Sequence, residues 1–328
     1  MTHYTRGGPL RVHRPNKEES MNRREFLKTS GAVSAAWGLA NSAQGAASGM
    51  FIALNTSLVG GKVQWPEFAR LAAKVGYGGT DLDLAAAEKE GLDATKGLLA
   101  ELKLRISFTS LPVNPTRGDE DAFRKGMETF EDRVKFAAGV GCTRMMVVIP
   151  PASQTPKEEL RKTLRARFQA MEPVLARHKV RCAFEFLGPL HFRQGLPYPF
   201  IWQMSEMVEF AKDCGPSFGV VLDVWHWYHS GSTLDDIRNA GKSRIVLVHL
   251  SDAAKMPAED VRDNVRLLAG EGAIDLVGIF TTLKKMGWEG SVSPEPLGRI
   301  PKEMSAEEGA RLGLQSAQAI LRKAGIEV

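Results

Sequence analysis

From about residue 50 to the C-terminus, short apolar segments alternate with segments in which apolar residues recur every three or four positions. The short segments are rich in β-forming residues and predict buried strands, whereas the longer spacing places apolar residues on one face of a helix. Glycine and proline residues, as at 76–79 and 215–216, separate the helical segments from the strands. Eight strands are predicted, at 51–55, 80–84, 105–111, 145–150, 181–186, 219–224, 245–250 and 291–295.

Eight strand–helix units fit one α/β domain, a single (β/α)8 barrel, which typically needs about 250 residues. The alternative is a doubly wound parallel sheet, but that fold usually has fewer strands, and no G-x-G-x-x-G motif follows the first predicted strand. No linker and no shift in composition divides the chain after residue 47. We therefore predict an N-terminal extension at 1–47 and one barrel domain at 48–328.

Composition excludes several other classes of protein. Hydrophobic residues make up 43% and charged residues 25% of the chain, which excludes a disordered chain or a fibrous repeat. The three cysteines show no C-x-x-C spacing, so neither a zinc ribbon nor a disulfide framework is predicted. The segment 1–47 holds seven Lys and Arg against three Asp and Glu, and the rest holds 36 against 35. This near-neutral balance does not support a DNA-binding face, so we expect no nucleic-acid partner.

Residues 21–47 have the pattern of an export signal. The pair Arg23-Arg24 is followed by Phe-Leu-Lys, by a weakly apolar stretch at 31–40 and by small residues at 43–47 that suit a signal peptidase. The paired arginines in this context resemble the twin-arginine export motif. We therefore expect the twin-arginine export machinery as a partner, and a periplasmic or otherwise exported location.

Two further interpretations concern the same region. The apolar stretch is shorter than the roughly 20 residues that a membrane span needs, so no stable membrane insertion is expected. Met21 directly precedes the motif, which makes it an alternative start of the chain to Met1. The alternative to an export signal is an ordinary basic N-terminus.

Four ionisable residues lie near the C-terminal ends of the fifth to the eighth predicted strands. In a barrel these ends form the face where active sites lie, so four inward-pointing side chains would converge there. Ionisable groups in apolar runs are costly to bury without partners. A single carboxylate at a strand end more often caps a helix or lies at the surface, but four on successive strands favour a common site. The four are Glu185, Asp223, His249 and Glu295.

These residues form a mixed oxygen and nitrogen donor set. Two glutamates, an aspartate and a neutral imidazole carry a net charge of about −3, which suits a divalent ion of intermediate hardness. We predict one divalent metal ion per chain, with Mn²⁺ as the first choice and Co²⁺, Zn²⁺ and Fe²⁺ as alternatives.

Five segments carry more specific motifs: Phe-Glu-Phe-Leu-Gly-Pro at 184–189, Leu-Asp-Val-Trp-His at 222–226, Val-His-Leu-Ser-Asp at 248–252, Arg-Leu-Leu-Ala-Gly-Glu-Gly-Ala-Ile-Asp at 266–275 and Pro-Glu-Pro at 294–296. With them, the chain from about residue 50 to 326 resembles the xylose-isomerase-like TIM barrel family of sugar isomerases and epimerases. The resemblance implies that Glu185, Asp223, His249 and Glu295 are metal ligands.

The same resemblance implies roles in substrate binding. His226 would hold a substrate oxygen, and Arg266 would approach the substrate or steady its loop. Lys255 lies where relatives often carry a basic residue that contacts substrate. From the residues themselves, Trp225 is a candidate wall of a sugar site, with core packing as the alternative, and His191 follows the fifth strand in a loop that could reach substrate.

A metal that binds adjacent carbonyl and hydroxyl oxygens acidifies the neighbouring C–H by stabilising the enediolate. Glu185 and Glu295, as both ligands and acid–base groups, could then move the proton between faces or between carbons, which gives epimerisation or isomerisation. No P-loop is present, and Glu271 between Gly270 and Gly272 would repel phosphate. We therefore favour an unphosphorylated sugar, keto-sugar or cyclitol as the substrate.

Three other functions stay open at this point. A dehydratase or lyase of the same fold would act on an inosose, a dehydroshikimate-like acid or a 3-keto-glycoside. A non-catalytic sugar-binding protein would retain the site without turnover. An abasic-site endonuclease would need a richer histidine cluster than the five histidines after residue 47, and a basic DNA-facing surface. Barrels of this kind often pair, so a homodimer is a further expectation.

Overall fold

The computed structural model describes residues 49–328. The predicted export signal at 21–47, including Arg23 and Arg24, lies outside the described residues, as does the alternative start at Met21. Export and the division of the chain at residue 47 therefore stay predictions. Within the described range, no helix combines the length and the apolar character needed to cross a bilayer.

Across residues 49–328, nine strands form one sheet in which all neighbours are parallel, and two more form a small antiparallel pair, β6 with β8. The order in the large sheet is β3-β2-β1-β11-β10-β9-β7-β5-β4. The strands are β1 Phe51–Leu54, β2 Gly79–Thr80, β3 Arg105–Ile106, β4 Thr109–Ser110, β5 Arg144–Val148, β6 Ala152–Ser153, β7 Arg181–Glu185, β8 Tyr198–Pro199, β9 Phe218–Asp223, β10 Ile245–Leu250 and β11 Ser291–Pro294.

The sheet closes through the segment 105–110, which holds both β3 and β4. The backbone N–H of Ser107 donates to the carbonyl of Thr80 at 2.8 Å, while the N–H of Leu111 donates to the carbonyl of Met146 at 2.8 Å. The sheet thus begins and ends in the same segment, which pairs with β2 through one half and with β5 through the other. The barrel consequently has eight positions, and the predicted (β/α)8 fold is confirmed.

Two predicted strands differ most in length from those observed. The third, predicted at 105–111, is interrupted where the segment leaves one neighbour for the other. The second, predicted at 80–84, ends at Thr80 because Asp83 caps a helix that begins at Leu84. Oδ1 of Asp83 accepts a hydrogen bond of 3.0 Å from the backbone N–H of Ala86, which satisfies one of the free donors of the first turn.

The part of the chain that the structure describes contains eleven α-helices, of which several divide a connection that the sequence pattern predicted as a single helix. They are α1 Glu67–Val75, α2 Leu84–Glu90, α3 Leu92–Leu102, α4 Glu120–Met127, α5 Phe130–Gly139, α6 Lys157–Arg177, α7 Met204–Cys214, α8 Val224–His229, α9 Leu234–Ala240, α10 Leu276–Lys285 and α11 Ala306–Lys323.

The helix α6 illustrates how the apolar spacing builds the layer around the barrel. Leu164, Phe168, Met171 and Leu175 lie three or four positions apart and are all buried. The ring of Phe168 packs against that of Phe184 on β7, with 4.4 Å between ring centroids. Burying such side chains stabilises the fold by about 1.5–3 kcal/mol each, so this face fixes the helix against the sheet.

Candidate metal centre and active site

The four predicted ligands come together at the C-terminal end of the barrel. Glu185 ends β7, Asp223 ends β9, His249 is the penultimate residue of β10, and Glu295 directly follows β11. These strands are successive neighbours in a parallel sheet, so their ends meet at one face. Each residue offers one ligand atom, and these atoms all lie within 4.8 Å of one another.

The spacing of the donor atoms fits a single metal ion. Nδ1 of His249 lies 3.0 Å from Oε1 of Glu185 and 3.3 Å from Oε2 of Glu295. Ligand atoms at about 2.0–2.2 Å from one ion lie roughly 3 Å apart, so these separations need little change on binding. Carboxylate oxygens with one imidazole nitrogen also suit a divalent ion of the first transition row.

The charges around His249 favour its protonated form. Burial would lower the pKa of His249, but the carboxylates of Glu295 and Glu185 raise it well above its ordinary value. Burial raises the pKa of Glu185 to about 7, although its hydrogen bond with His249 opposes this shift. Burial would also raise the pKa of Glu295, but His249 and then Arg266 bring it below its ordinary value.

Asp223 serves two elements with its two oxygens. Oδ1 caps α8, accepting hydrogen bonds from the backbone N–H groups of Trp225 at 2.8 Å and His226 at 3.1 Å. Oδ2 accepts a hydrogen bond of 2.8 Å from Nη1 of Arg266. Burial would raise the pKa of Asp223, but Arg266 and His226 hold it below its ordinary value. Helix capping, the alternative role of a carboxylate at a strand end, therefore applies to Oδ1 of Asp223, whereas Oδ2 faces the cluster.

Arg266 connects the acidic residues of the site. Its Nη1 also donates to Oε2 of Glu295 at 3.1 Å, and its Nη2 donates to Oδ1 of Asp263 at 2.7 Å. The guanidinium carbon lies 4.7 Å from the centroid of the Trp225 ring, and the Arg266 side chain is 2% exposed. The structure thus places Arg266, the predicted loop arginine, inside the cluster, where carboxylates and the Trp225 ring hold its guanidinium group.

The contact between Arg266 and His226 fixes the state of the imidazole. Nη2 of Arg266 lies 3.1 Å from Nε2 of His226. An arginine can only donate, so Nε2 accepts and the imidazole proton is on Nδ1. Burial lowers the pKa of His226 to about 4 despite the nearby Asp223, so the ring is neutral. Its Nδ1 is buried without a hydrogen-bond partner among the described residues, which leaves a donor for a bound molecule.

The loop that carries Arg266 is held by Asp252, which sequence reasoning did not single out. Its backbone pairs with Leu267 through two hydrogen bonds of 2.9 and 2.8 Å. Its Oδ2 accepts hydrogen bonds of 3.0 Å from the N–H groups of Gly270 and Gly272. A Cβ at Gly272 would lie 2.5 Å from Oδ1 of Asp252, so this close approach needs glycine.

The other predicted substrate residues lie at different distances from the cluster. Trp225 is 1% exposed and lies behind Arg266, which agrees with its core-packing alternative. His191 packs on Phe192, with 4.0 Å between ring centroids, and Phe192 in turn lies 6.0 Å from His226. Lys255 is exposed and forms no ion pair with the cluster within residues 49–328. Direct substrate contacts for these three residues stay predictions.

A cavity of about 560 Å³ adjoins the cluster, lined by residues that include Trp65, Asp81 and Phe108. The ring centroid of Phe108 lies 5.3 Å from that of His249. Oδ1 of Asp81 accepts a hydrogen bond of 3.4 Å from Oγ of Ser293 on β11. Sequence reasoning missed Asp81, because the predicted strand 80–84 placed this carboxylate inside a strand and not at its end.

Comparison with known proteins agrees with this geometry. The sequence model described as "Xylose isomerase-like TIM barrel" matches residues 69–318. The inosose isomerase of Bacillus licheniformis is 25% identical over 208 residues, which cover 62% of this chain and 72% of that protein.

Solved structures show the same fold. A xylose isomerase domain protein from Alicyclobacillus acidocaldarius has a TM-score of 0.77 and 26% identity, covering 84% of this chain and 99% of that one. The IOLI protein with a bound zinc atom has a TM-score of 0.72 and 21% identity, with the same coverage. D-Psicose 3-epimerase from Clostridium cellulolyticum has a TM-score of 0.65 and 18% identity, covering 84% and 98%.

The family match covers residues 69–318, which is more than half of the chain. It includes all four clustered ligand residues. This protein therefore belongs to the xylose isomerase-like TIM barrel family.

Proposed function

We propose that this protein is a divalent-metal-dependent isomerase or epimerase of an unphosphorylated sugar, keto-sugar or cyclitol. The observation that carries the proposal is the contact of Glu185 and Glu295 with the same nitrogen of His249, at 3.0 and 3.3 Å. Two carboxylates beside one metal-binding position could serve as the acid and the base for proton transfer next to a carbonyl. A relative named inosose isomerase supports this substrate class, because an inosose is a keto-cyclitol.

The proposed metal ligands are Glu185, Asp223, His249 and Glu295. A divalent ion bound there would polarise a substrate carbonyl and make the adjacent C–H more acidic. Mn²⁺ is our first choice, because three carboxylates dominate the donor set, and Co²⁺, Zn²⁺ and Fe²⁺ are alternatives. The zinc atom bound to the IOLI protein supports a divalent ion without identifying the one that this chain uses.

The two glutamates differ in their surroundings, and we assign them different tasks. Glu295 contacts Nη1 of Arg266 at 3.1 Å, and this positive charge favours the ionised form that accepts a proton from substrate carbon. Glu185 is buried, and within residues 49–328 its carboxylate contacts His249 but no arginine, so its ionised form is less favoured than that of Glu295. Glu185 is therefore suited to return a proton from the other side.

His226 and Arg266 would orient the substrate. The Nδ1–H of His226 is buried and unpartnered among the described residues, so a substrate oxygen would satisfy it. Arg266 holds the other nitrogen of that ring at 3.1 Å, which keeps the proton on Nδ1. The proposal also includes outer contacts of the substrate with His191 and Lys255, whereas the buried ring of Trp225 supports the site by packing on Arg266.

The N-terminal pattern extends the proposal to cellular location. The twin-arginine pattern around Arg23 and Arg24 supports export by that machinery to the periplasm or another exterior compartment. An exported enzyme meets few phosphorylated sugars, which is a further reason to favour an unphosphorylated substrate. A homodimer is part of the proposal, and light scattering of the purified protein tests it.

The function is tested by incubating metal-loaded protein with inososes and keto-sugars in heavy water. We expect an isomeric product that carries deuterium at the reacting carbon, and loss of both product and label in Glu295→Gln. A product that has lost water or an aglycone would instead identify a dehydratase or lyase. Saturable binding without turnover in any of these substrates would identify a sugar-binding protein.

A further inference from the structure

A second cavity lies at the opposite end of the barrel from the metal cluster. Its volume is about 430 Å³, and its walls include Arg144, Lys179, Arg181, Lys242 and Trp288. Arg144 and Arg181 are the first residues of β5 and β7, so they mark the N-terminal face of the sheet. They are also register partners, and paired positions of parallel strands direct their side chains to the same face.

These cations lack the carboxylate partners that other arginines of the chain have. Arg133 contacts Glu88 at 3.0 Å and Arg161 contacts Asp213 at 2.7 Å. Within residues 49–328, by contrast, neither Arg144 nor Arg181 forms an ion pair, and Arg181 donates to the carbonyl of Ser243. Glu289 is the one acidic residue that lines the cavity in the described part of the chain.

The cations also repel one another. Burial lowers the pKa of Arg144 from its ordinary value. Burial lowers the pKa of Arg181 as well, and the charges of Arg244 and Arg144 lower it further. Half-buried like charges without a counter-charge destabilise a fold. An anion bound in this cavity would therefore stabilise the folded protein.

We propose that this cavity binds a small oxyanion with more than one negative charge, of the phosphate or phosphate-ester class. Two arginines in register line the cavity, and guanidinium groups match the oxygens of phosphate well; two exposed lysines add charge at the rim. The volume lies at the lower end of the range for small-molecule pockets, about 300–1,000 Å³, which admits more than a bare phosphate. The site is separate from the proposed active site and does not depend on its chemistry.

The test uses orthophosphate as the probe, measured by titration calorimetry against chloride at equal ionic strength. We expect saturable binding to the wild type and at least about tenfold weaker binding to Arg144→Gln/Arg181→Gln, because both charge-assisted contacts are lost. The matched control is Lys96→Gln/Lys125→Gln, which removes two exposed positive charges elsewhere and leaves the affinity unchanged.

Two further variants at the exposed rim keep the test decisive if the double arginine variant fails to fold. Lys242→Gln should weaken phosphate binding, and Glu289→Gln should tighten it by removing the repelling carboxylate. If the cations of this cavity had only a structural role, neither variant would change the affinity for phosphate. Equal affinities in the wild type, Lys242→Gln and Glu289→Gln would overturn the proposal.

Two arms of the experiment locate the site and define its ligand. Phosphate binding that disappears in Asp223→Ala but persists in the double arginine variant would place the anion at the metal cluster, and would overturn the proposal. Glycerol 3-phosphate is compared with orthophosphate in the wild type. Tighter binding of the ester supports an organic phosphate packed against Trp288, and equal binding supports free phosphate as the ligand.

Discussion

Nη1 of Arg266 donates a hydrogen bond of 2.8 Å to Oδ2 of Asp223, and the two side chains are 2% and 1% exposed. The other oxygen of Asp223 caps the helix Val224–His229, so this carboxylate joins a strand end, a helix and the loop of Arg266. A buried pair of this kind is sensitive to loss of one partner, because the remaining charge is left uncompensated. Several properties of the site follow from this arrangement.

Replacing Asp223 should separate its capping role from its charge. Asn keeps an oxygen that can cap the helix, whereas Ala does not, and both lack the carboxylate. We expect at least about tenfold weaker metal binding in both variants, measured by titration of the metal-free proteins. The unfolding free energy of the Ala variant should be lower than that of the Asn variant by about 1 kcal/mol. Metal affinity retained in Asp223→Asn would exclude the residue as a ligand.

Metal binding should become stronger as the pH rises. Without metal, the neighbouring carboxylates hold a proton on His249, whose pKa is raised well above its ordinary value, and burial raises the pKa of Glu185 to about 7. A bound ion must displace these protons, so the metal competes with them at neutral pH and more strongly as the pH falls. Calorimetry in buffers of different ionisation enthalpy should show release of at least about one proton per ion near neutral pH.

Glu185→Gln provides the control for this proton release. The variant lacks one titrating carboxylate, so fewer protons should be released when the metal binds. Its metal affinity should be lower than that of the wild type at every pH. An affinity that does not change between about pH 6 and about pH 8 in the wild type would contradict the protonated cluster.

The sequence pattern could predict the barrel and the residues that converge in it. Glu185, Asp223 and His249 stand out because each is ionisable and lies at the end of an apolar run, and barrel closure brings such ends together. The break within the third strand could not be predicted, because it arises where the segment exchanges one neighbouring strand for another. The early end of the second strand depends on one cap, Asp83, whose side chain competes with continued strand pairing.

Other features depend on tertiary contacts that no local pattern carries. Asp81 directly follows the observed strand Gly79–Thr80 but lies inside the longer strand predicted at 80–84, so its place at a strand end is visible only in the folded structure. Asp252 acts through backbone groups some twenty positions away, and its partners are visible only once the glycine loop is folded. The cationic cavity combines the first residues of two strands with lysines from other loops, so their proximity follows from the closed sheet.

Asp81 should make the stability of the metal-free protein depend on pH. Burial raises its pKa to about 8, although the charge of His249 opposes the shift. In the unfolded chain its pKa returns to about 4, so between these values the native state binds more protons than the unfolded state. The contribution of Asp81 to the unfolding free energy is therefore present at low pH and is lost as the pH rises to about 8.

The variant Asp81→Asn tests this dependence, because the amide resembles the protonated acid and does not titrate. The unfolding free energy of the variant relative to wild type should rise with pH, by up to about 1.4 kcal/mol per pH unit. Urea denaturation at several pH values measures the difference. Asp83→Asn is the matched control, since it removes an exposed carboxylate two residues away while Asn still caps the helix. If the unfolding free energies of Asp81→Asn and the wild type changed with pH in the same way, the raised pKa of Asp81 would be excluded.

Asp252 should act as a positioning residue for Arg266. Its Oδ2 holds the N–H groups of Gly270 and Gly272, and its backbone pairs with Leu267, the neighbour of Arg266. Asp252→Ala should release this loop and lower kcat/KM by about tenfold or more, as is typical when a supporting hydrogen bond is lost.

Asp275→Ala distinguishes positioning from a general loss of stability. Asp275 caps the next helix through the N–H of Gly278 at 2.8 Å, so its loss should cost about 1 kcal/mol of unfolding free energy with little change in turnover. If Asp252 positions Arg266, then Asp252→Ala should reduce kcat/KM even at temperatures where both variants are fully folded, and its metal affinity should change less than its turnover. Equal losses of activity in the two variants, in proportion to stability, would show that Asp252 only stabilises the loop.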